Sequence, residues 1–391
     1  MNENTNTINE VISVGNVIVN ILKAELAGGV YTLPADVDFN KLYTLADVHR
    51  VTPLIANAVL ECEFTPDEIK ARFKKELFKI SMRYETQMKE KKVLSQIFTE
   101  NNIKHCFLKG HKLSKYYKNP EQRFMLDMDV FVENEKIHLA EEILQSRGYE
   151  KNSIGDDKDI GYIKKPFLNI EIHKELKYDY DKGYEYYKSA FSRLTPVENT
   201  CELNMTNEDF YVYILSHSAH HFATAGTGIR NVLDHYYLKN QLRPFCSDSL
   251  LQKGLELTGL VEFDNRMNSL CNVWFESEEP SDEMLEMAEY IMLSGVFGNK
   301  TNHYLGGILR GEYNENKASF LLARLFPSKE KTQDRYPVLK RFPFLLPLIW
   351  VIRIFTAIFQ KKKYAAELDN ASSVSQNQKD EFVTFIKKNG L

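Results

Sequence analysis

Residues 125–132, MLDMDVFV, constrain this chain more than any other stretch. In an extended strand successive side chains take opposite faces and two residues advance about 6.6 Å, so Asp127 and Asp129 should share a face while Met128 and Val130 turn into a core. Two carboxylates at that spacing suit a hard divalent cation that shares its oxygen ligands with phosphates. An isolated acid pair on a strand is more often a solvated edge than a site. Context raises the odds here. Lys109 and Gly110 close a short apolar run upstream, Arg123 lies four residues before Asp127, and Glu171 follows on a separate strand-like run.

The flanking sequence has a different texture. From about residue 8 to 100 the apolar spacing is helical, with Val11, Val14, Val17 and Ile21, then Leu54, Ile55, Ala58 and Val59. Residues 70–99 are rich in Lys, Glu, Met and Leu and lack Gly and Pro, which predicts one long helix. From residue 101 strand-like runs take over. IKHCFLKG ends in a turn at Gly110, MLDMDVFV follows, and Asn134 offers an N-cap for a helix through Arg147 closed by Gly148. DIGYIKK and FLNIEIHKEL then read as a hairpin about Pro166. After Pro196 helical spacing returns, clearest over 209–224 and 229–240, with Gly226 and Gly228 between them. Residues 369–379 read as a loose linker before a last short helix. The expected class is α+β, with an N-terminal helical lobe at 1–100, an α/β core at 101–195 and a C-terminal helical lobe at 196–391.

On the run that carries Glu171, the residues Glu171, His173 and Glu175 share a face, and Ile170 and Ile172 take the other. Carboxylates converging on one spot repel unless a cation neutralises them. Two ions would clamp the attacking and leaving oxygens of a phosphoryl transfer. His217 and His221 stand one helical turn apart, with His220 beside them and Asp234 further on. The chain has no HExxH pattern, so a structural or acceptor-lining role is favoured over metal for these histidines. His173 is placed to orient a carboxylate or touch phosphate.

The order LKG (residues 108–110), Tyr117 and Pro120, Arg123, DMDVFV, then EIH (residues 171–173) resembles the uncharacterised nucleotidyltransferases of the polymerase-β-like superfamily. The resemblance takes in HRVTPLI at 49–55 and GIRNVLD at 228–234, covering roughly residues 45–240. It implies a small mixed β-sheet and an enzyme that moves a nucleoside monophosphate from a nucleoside triphosphate, ATP among them, to a hydroxyl or phosphate acceptor with release of pyrophosphate. Asp127 and Asp129 would hold Mg²⁺, two ions in all, with Mn²⁺ as a substitute. Glu171 would complete the site as ligand or base. Lys109 and Arg123 would neutralise the triphosphate. The wider superfamily places Gly-Ser after the first strand, whereas here Gly110 precedes His111 and the next hydroxyl is Ser114. The nucleotide-binding expectation therefore covers Lys109, Gly110, His111, Ser114 and Arg123, with His173, His217, His221 and Asp234 on the acceptor side.

The 391 residues suggest two or three lobes, and 43% hydrophobic with 27% charged residues is the balance of a folded protein. A formal charge of −4 gives no global basic field, so DNA is not an expected partner. A small-molecule acceptor such as a sugar or sugar phosphate is expected first, and a protein or RNA end is the alternative. A catalytically idle nucleotide-binding module is a third reading. Five cysteines without a CxxC pair, and an N-terminus without a basic-then-apolar leader, lead to the cytoplasm as the expected location. The apolar stretch 342–359 contains Arg353 and two early prolines and precedes Lys361, Lys362 and Lys363. A buried or partner-facing helix is the first expectation for it, and peripheral membrane contact through 342–363 the second.

Overall fold

The protein is described from a computed structural model, which covers residues 2–391 apart from 153–158, 177–182, 297, 299, 310–321, 323–324, 328, 330–331, 333–335, 337 and 360–373. Four helices come first: α1 (Asn2–Leu26), α2 (Phe39–Val48), α3 (Thr52–Glu61) and α4 (Asp67–Glu100). The last has 34 residues, a length of about 51 Å. Nothing in its sequence interrupts the backbone ladder, as the absence of Gly and Pro requires.

The sheet then forms from β1 (His105–Phe107), the single helical turn α5 (Gly110–Leu113), β2 (Met128–Val132), α6 (Ile137–Ser146), β3 (Glu150–Asn152), β4 (Asp159–Lys164) and β5 (Leu168–His173). Its strand order is β1-β2-β5-β4-β3. β1 lies antiparallel to β2, β2 parallel to β5, and β4 antiparallel to both β5 and β3. The class is α+β with a small mixed sheet, as the resemblance implies. The helix expected from Asn134 starts later. A 3-10 turn occupies Asn134–Lys136 and α6 begins at Ile137, because Ile137, Ala140 and Leu144 are the residues that bury against the sheet.

That burial fixes which face of the sheet stays polar. Met128, Val130 and Val132 of β2 join Ile170 and Ile172 of β5 in one cluster with Leu94 and Phe98 of α4 and the α6 residues. Alternation then turns Asp129 and Glu171 to the other face, under the remaining helices. Those are α7 (Tyr184–Lys188), α8 (Asn207–Thr224), α9 (Ile229–Tyr237), α10 (Asp248–Thr258), α11 (Val261–Phe275), α12 (Asp282–Ser294) and α13 (Lys300–Leu309), with a two-stranded ribbon, β6 (Thr195–Pro196) and β7 (Leu203–Asn204), before α8.

The helices before and after the sheet bury a common core. Ile18 and Leu22 of α1, Leu42 of α2 and Ile55 of α3 cluster with Tyr211 and Phe222 of α8, Phe263 of α11 and Ile291 of α12. His49 ties these regions through polar contacts. Its Nδ1 accepts from the Ile229 N–H at 3.1 Å, satisfying an otherwise orphaned donor at the start of α9. Its Nε2 donates to the Met292 carbonyl at 3.1 Å. Burial pushes the imidazole pKa down to about 4, so this neutral tautomer holds through the physiological range.

Near the C-terminus the helix Gln376–Lys388 starts earlier than the expected linker allowed, because Ser375 and Gln378 form a reciprocal capping box. Residues 369–373 of that expected linker lie outside the described residues.

Candidate active site

The parallel pairing of β2 with β5 sets Asp129 directly opposite Glu171 and Phe131 opposite His173. Asp127 precedes β2 by one residue and is half-buried, whereas Asp129 is buried. A lysine ammonium and a histidine ring converge on Asp129 Oδ1. Lys109 Nζ donates at 2.6 Å and His173 Nε2 at 2.8 Å.

The electrostatics divide the acids. Burial alone would raise the Asp129 pKa, but Lys109 and the His173 hydrogen bond outweigh it and hold the carboxyl far below its usual range. Asp127 moves the other way, raised by burial and then by the charge of Asp129. Burial, followed by repulsion from Asp127 and Asp129, pushes Glu171 up to about 7.

The donor set fits a divalent cation. Asp129, Glu171 and His173 each offer one ligand atom, and these atoms lie within 4.8 Å of one another. Burial first, and then the neighbouring carboxylates, raise Asp127 and Glu171, so a cation on this face would relieve their repulsion. Asp127 stands outside that three-residue group, so His173 sits nearer the centre of the donor set than its expected acceptor-side position.

A stability prediction follows from Glu171. Its folded pKa of about 7 lies above the ordinary 4.5, so the native state keeps a proton that the unfolded state has lost. Ionising Glu171 therefore costs stability as pH rises from about 4.5 to 7. Glu171→Gln should remove that slope and raise metal-free stability at pH 8 by on the order of 2 kcal/mol after allowance for solvent. Urea denaturation across this pH range checks it. An unchanged slope in the variant would mean Glu171 is ordinary.

The turn after β1 carries the backbone tension of the site. Lys109 adopts φ 43° and ψ −111°, a region that costs a residue with a side chain about 1–3 kcal/mol and that gathers at functional sites. Gly110 is packed too tightly for a side chain. A Cβ there would meet Met125 Sδ at 2.7 Å and Cγ at 2.8 Å, and Arg123 Nη1 at 3.1 Å. Gly110→Ala should cost about 1–3 kcal/mol and displace the turn, lowering both thermal stability and nucleotide affinity. Normal affinity in a destabilised variant would dissociate the turn from nucleotide binding.

His111 is buried against Phe107, with ring centroids 6.1 Å apart. Neither ring nitrogen has a hydrogen-bond partner among the described residues. Burial, with the nearby Lys91 charge, pushes its pKa down to about 4. Ser114 is buried and its hydroxyl donates to the His111 carbonyl at 3.3 Å.

Arg123 and Asp234 were expected on opposite sides of the site, but the structure pairs them with each other. Arg123 Nε and Nη2 donate to the two Asp234 oxygens at 2.7 and 2.8 Å, and the Tyr117 hydroxyl adds a bond to Asp234 Oδ1 at 2.8 Å. All three residues are buried. Arg123 is thus anchored by Asp234, with its Nη1 beside the Gly110 turn, 3.1 Å from where a Cβ on that glycine would stand.

His217 and His221 of α8 meet Nε2 to Nε2 at 3.2 Å. Burial and then the Lys109 charge hold His217 well below its usual pKa, which puts it within electrostatic reach of the acidic face. The histidine pair does not join the three-residue donor group.

Two cations escaped the sequence reading. Arg230 of α9 donates Nη1 to the Phe124 carbonyl at 3.1 Å, while its buried Nε finds no hydrogen-bond partner among the described residues. Arg83 of α4 lies over the rings of Phe124 and Phe167. The Asp127 charge acts on both arginines. Arg230 stands inside the quoted GIRNVLD, so a signal existed. Arg83 is one cation among many on a Lys/Glu-rich helix.

A small mixed sheet with an acidic face, entered by a strained lysine–glycine turn, places the chain among the nucleotidyltransferases. It belongs to the family described as uncharacterised nucleotidyltransferase, whose family model matches residues 35–276. That match extends beyond residues 45–240 at both ends. No curated protein matches the chain. Family membership supports nucleotidyl transfer as the general activity and a nucleotide as substrate.

Proposed function

We propose that the protein transfers a nucleoside monophosphate from a nucleoside triphosphate to a hydroxyl or phosphate acceptor, with Mg²⁺ or Mn²⁺ bound on the acidic face. The observation that carries this reading is the alignment of Asp129 with Glu171 across the parallel β2–β5 pair, with Asp127 two residues away. Asp129, Glu171 and His173 would hold one cation, and Asp127 with Asp129 would share a second. When bound, the cations supply charge neutralisation for the triphosphate and for the pyrophosphate leaving group.

The chain's own residues do the rest. Lys109 can transfer its ammonium from Asp129 to a phosphate oxygen by side-chain rotation alone. Arg230 offers its unused Nε on the Asp127 side. The acceptor oxygen forms the new bond to the α-phosphorus, the bond from that phosphorus to the bridging oxygen breaks, and pyrophosphate departs. Glu171 would either hold the cation or, where it is left free of it, take the acceptor's proton. The half-buried histidines His217 and His221 on α8 would border the acceptor side.

A small molecule such as a sugar or sugar phosphate is the preferred acceptor, because a net charge of −4 gives no global basic field to draw in RNA. Incubating the purified protein with α-labelled triphosphates, Mg²⁺ and cell extract tests the reading. Labelled metabolites support it, and labelled protein or RNA moves the acceptor to a macromolecule. Triphosphate binding without label transfer would leave an idle nucleotide-binding module, and neither binding nor transfer would overturn the reading.

A further inference from the structure

Three arginines gather around Phe124, three residues before Asp127. Arg50 and Arg83 lie over its ring, with their guanidinium carbons 5.0 and 5.3 Å from the centroid. Arg230 donates to its carbonyl. They come from separate parts of the chain, namely the turn after α2, the middle of α4 and the start of α9. Packing has therefore brought like charges into one neighbourhood, at a cost that an anion there would offset.

Two of the three lack a counter-charge. Arg50 pairs with Asp47 at 2.6 Å. Arg83 has no hydrogen bond or ion pair with a described residue, and Arg230 has no ion pair among them and a buried, unused Nε. Burial lowers the pKa of both. The charge of Asp127 acts on each of them, and a divalent cation on the acidic face would draw on that same charge.

Asn169 is an orphan of the opposite kind. The β2–β5 register sets Met128 opposite Ile170, so the residues just before them, Asp127 and Asn169, stand at the same level. Alternation puts Asn169 on the face of Glu171. Its buried Oδ1 has no hydrogen-bond partner among the described residues. A ligand that satisfies this edge of the site brings anionic oxygens for the arginines and a donor for Asn169.

We propose that this edge binds an acceptor that carries a phosphate group, so that the acceptor class is a hydroxylated phosphate ester and not a neutral alcohol. Arg83 and Arg230 hold the phosphate, and Asn169 accepts a hydrogen bond from a hydroxyl of the same molecule. The assignment rests on nucleotidyl transfer as the reaction and narrows its acceptor. The triphosphate chain fits this edge less well. It has no donor for Asn169, and Lys109 with the divalent cations already meets its charge.

Thermal melting of the full chain with inorganic phosphate as the probe, and chloride at equal ionic strength as the control, tests the proposal. With Mg²⁺ and a non-hydrolysable triphosphate at saturation, added phosphate should raise the melting temperature further, because its subsite is a separate one. A charge-assisted hydrogen bond contributes about tenfold or more to affinity. Arg83→Gln and Arg230→Gln should therefore each raise the phosphate concentration required by at least about tenfold, and Arg83→Gln should change the triphosphate requirement far less. Arg83→Gln breaks no hydrogen bond with a described residue, so it decides the matter even where Arg230→Gln fails to fold. Phosphate that gives no further rise, or that acts equally on the parent and Arg83→Gln, overturns the proposal. Phosphate that competes with the triphosphate also overturns it, and gives the arginines to the nucleotide. A chain that binds phosphate through Arg83 but no triphosphate overturns nucleotidyl transfer and leaves the phosphate subsite standing.

Discussion

Asp129→Asn should lower nucleotidyl transfer by on the order of a thousandfold or more, because charge stabilisation at the transferred phosphoryl group is the main source of rate in such chemistry. Its effect on folding should be far smaller. The variant loses the attraction of Asp129 to Lys109 and His173, and it also loses the repulsion that raises Asp127 and Glu171. These terms oppose each other. A melting temperature within a few degrees of the parent, with the Glu171 titration moved back toward its ordinary range, is the expected combination. In the parent protein the depressed pKa of Asp129 means its stabilising contribution exists above the ordinary carboxylate range and disappears only in strong acid. Label-transfer kinetics and thermal melts of the same preparation check both halves. Retained transfer at near-parental rate would remove Asp129 from the reaction.

The second large effect concerns folding. Asp234→Asn leaves the buried Arg123 guanidinium without its counter-charge and weakens the acceptor of the Tyr117 hydroxyl. Removing one partner of a buried pair typically costs about 3–5 kcal/mol, and replacing both with apolar groups costs much less. Asp234→Leu combined with Arg123→Met should therefore be more stable than Asp234→Asn alone. Urea denaturation of the parent, Asp234→Leu, Arg123→Met and the double variant measures the coupling. Because Arg123 Nη1 lies under Gly110, the double variant should still bind nucleotide less well than the parent. Undiminished stability in Asp234→Asn would mean the pair is solvated in a way its burial contradicts.

Local periodicity made much of the fold legible. The strand around Asp129, the long α4 and the later helices α8 and α9 all follow from residue spacing within a few turns or strand positions. The hairpin about Pro166 was legible for the same reason, since β4 and β5 are neighbours in sequence. Contacts between distant residues were not. Asp129 meets Glu171 only because β5 pairs parallel with β2 after a crossover through α6, β3 and β4. The family resemblance supplied that adjacency, and the spacing of either strand alone could not.

The Arg123–Asp234 pair is the clearest loss. Each residue carries charge at a position that the resemblance made prominent, so each was assigned to a ligand. Nothing in either neighbourhood reveals a partner 111 residues away. His173 was placed on the correct face by alternation, but its hydrogen bond to Asp129 depends on the same crossover. Arg230 was hidden in another way, because an arginine on an amphipathic helix gives no sign of being buried until the helix is docked.

The shared helical core has a consequence for the order in which the chain can mature. Phe382 and Phe385 and the buried Ile386 belong to the same cluster as Ile18 and Leu22, and Phe385 stacks on Phe222 at 5.6 Å between centroids. Residues far apart on either side of the sheet in sequence thus complete one interior. The residues that carry the acidic face leave the ribosome long before that interior can close, so they must wait in a partly consolidated state. A fragment cut to residues 35–276 would reproduce this waiting state permanently, with the apolar flanks of α11 uncovered by α1 and by the final helix. Docking of the helix Gln376–Lys388, rather than formation of the sheet, then closes the shared interior.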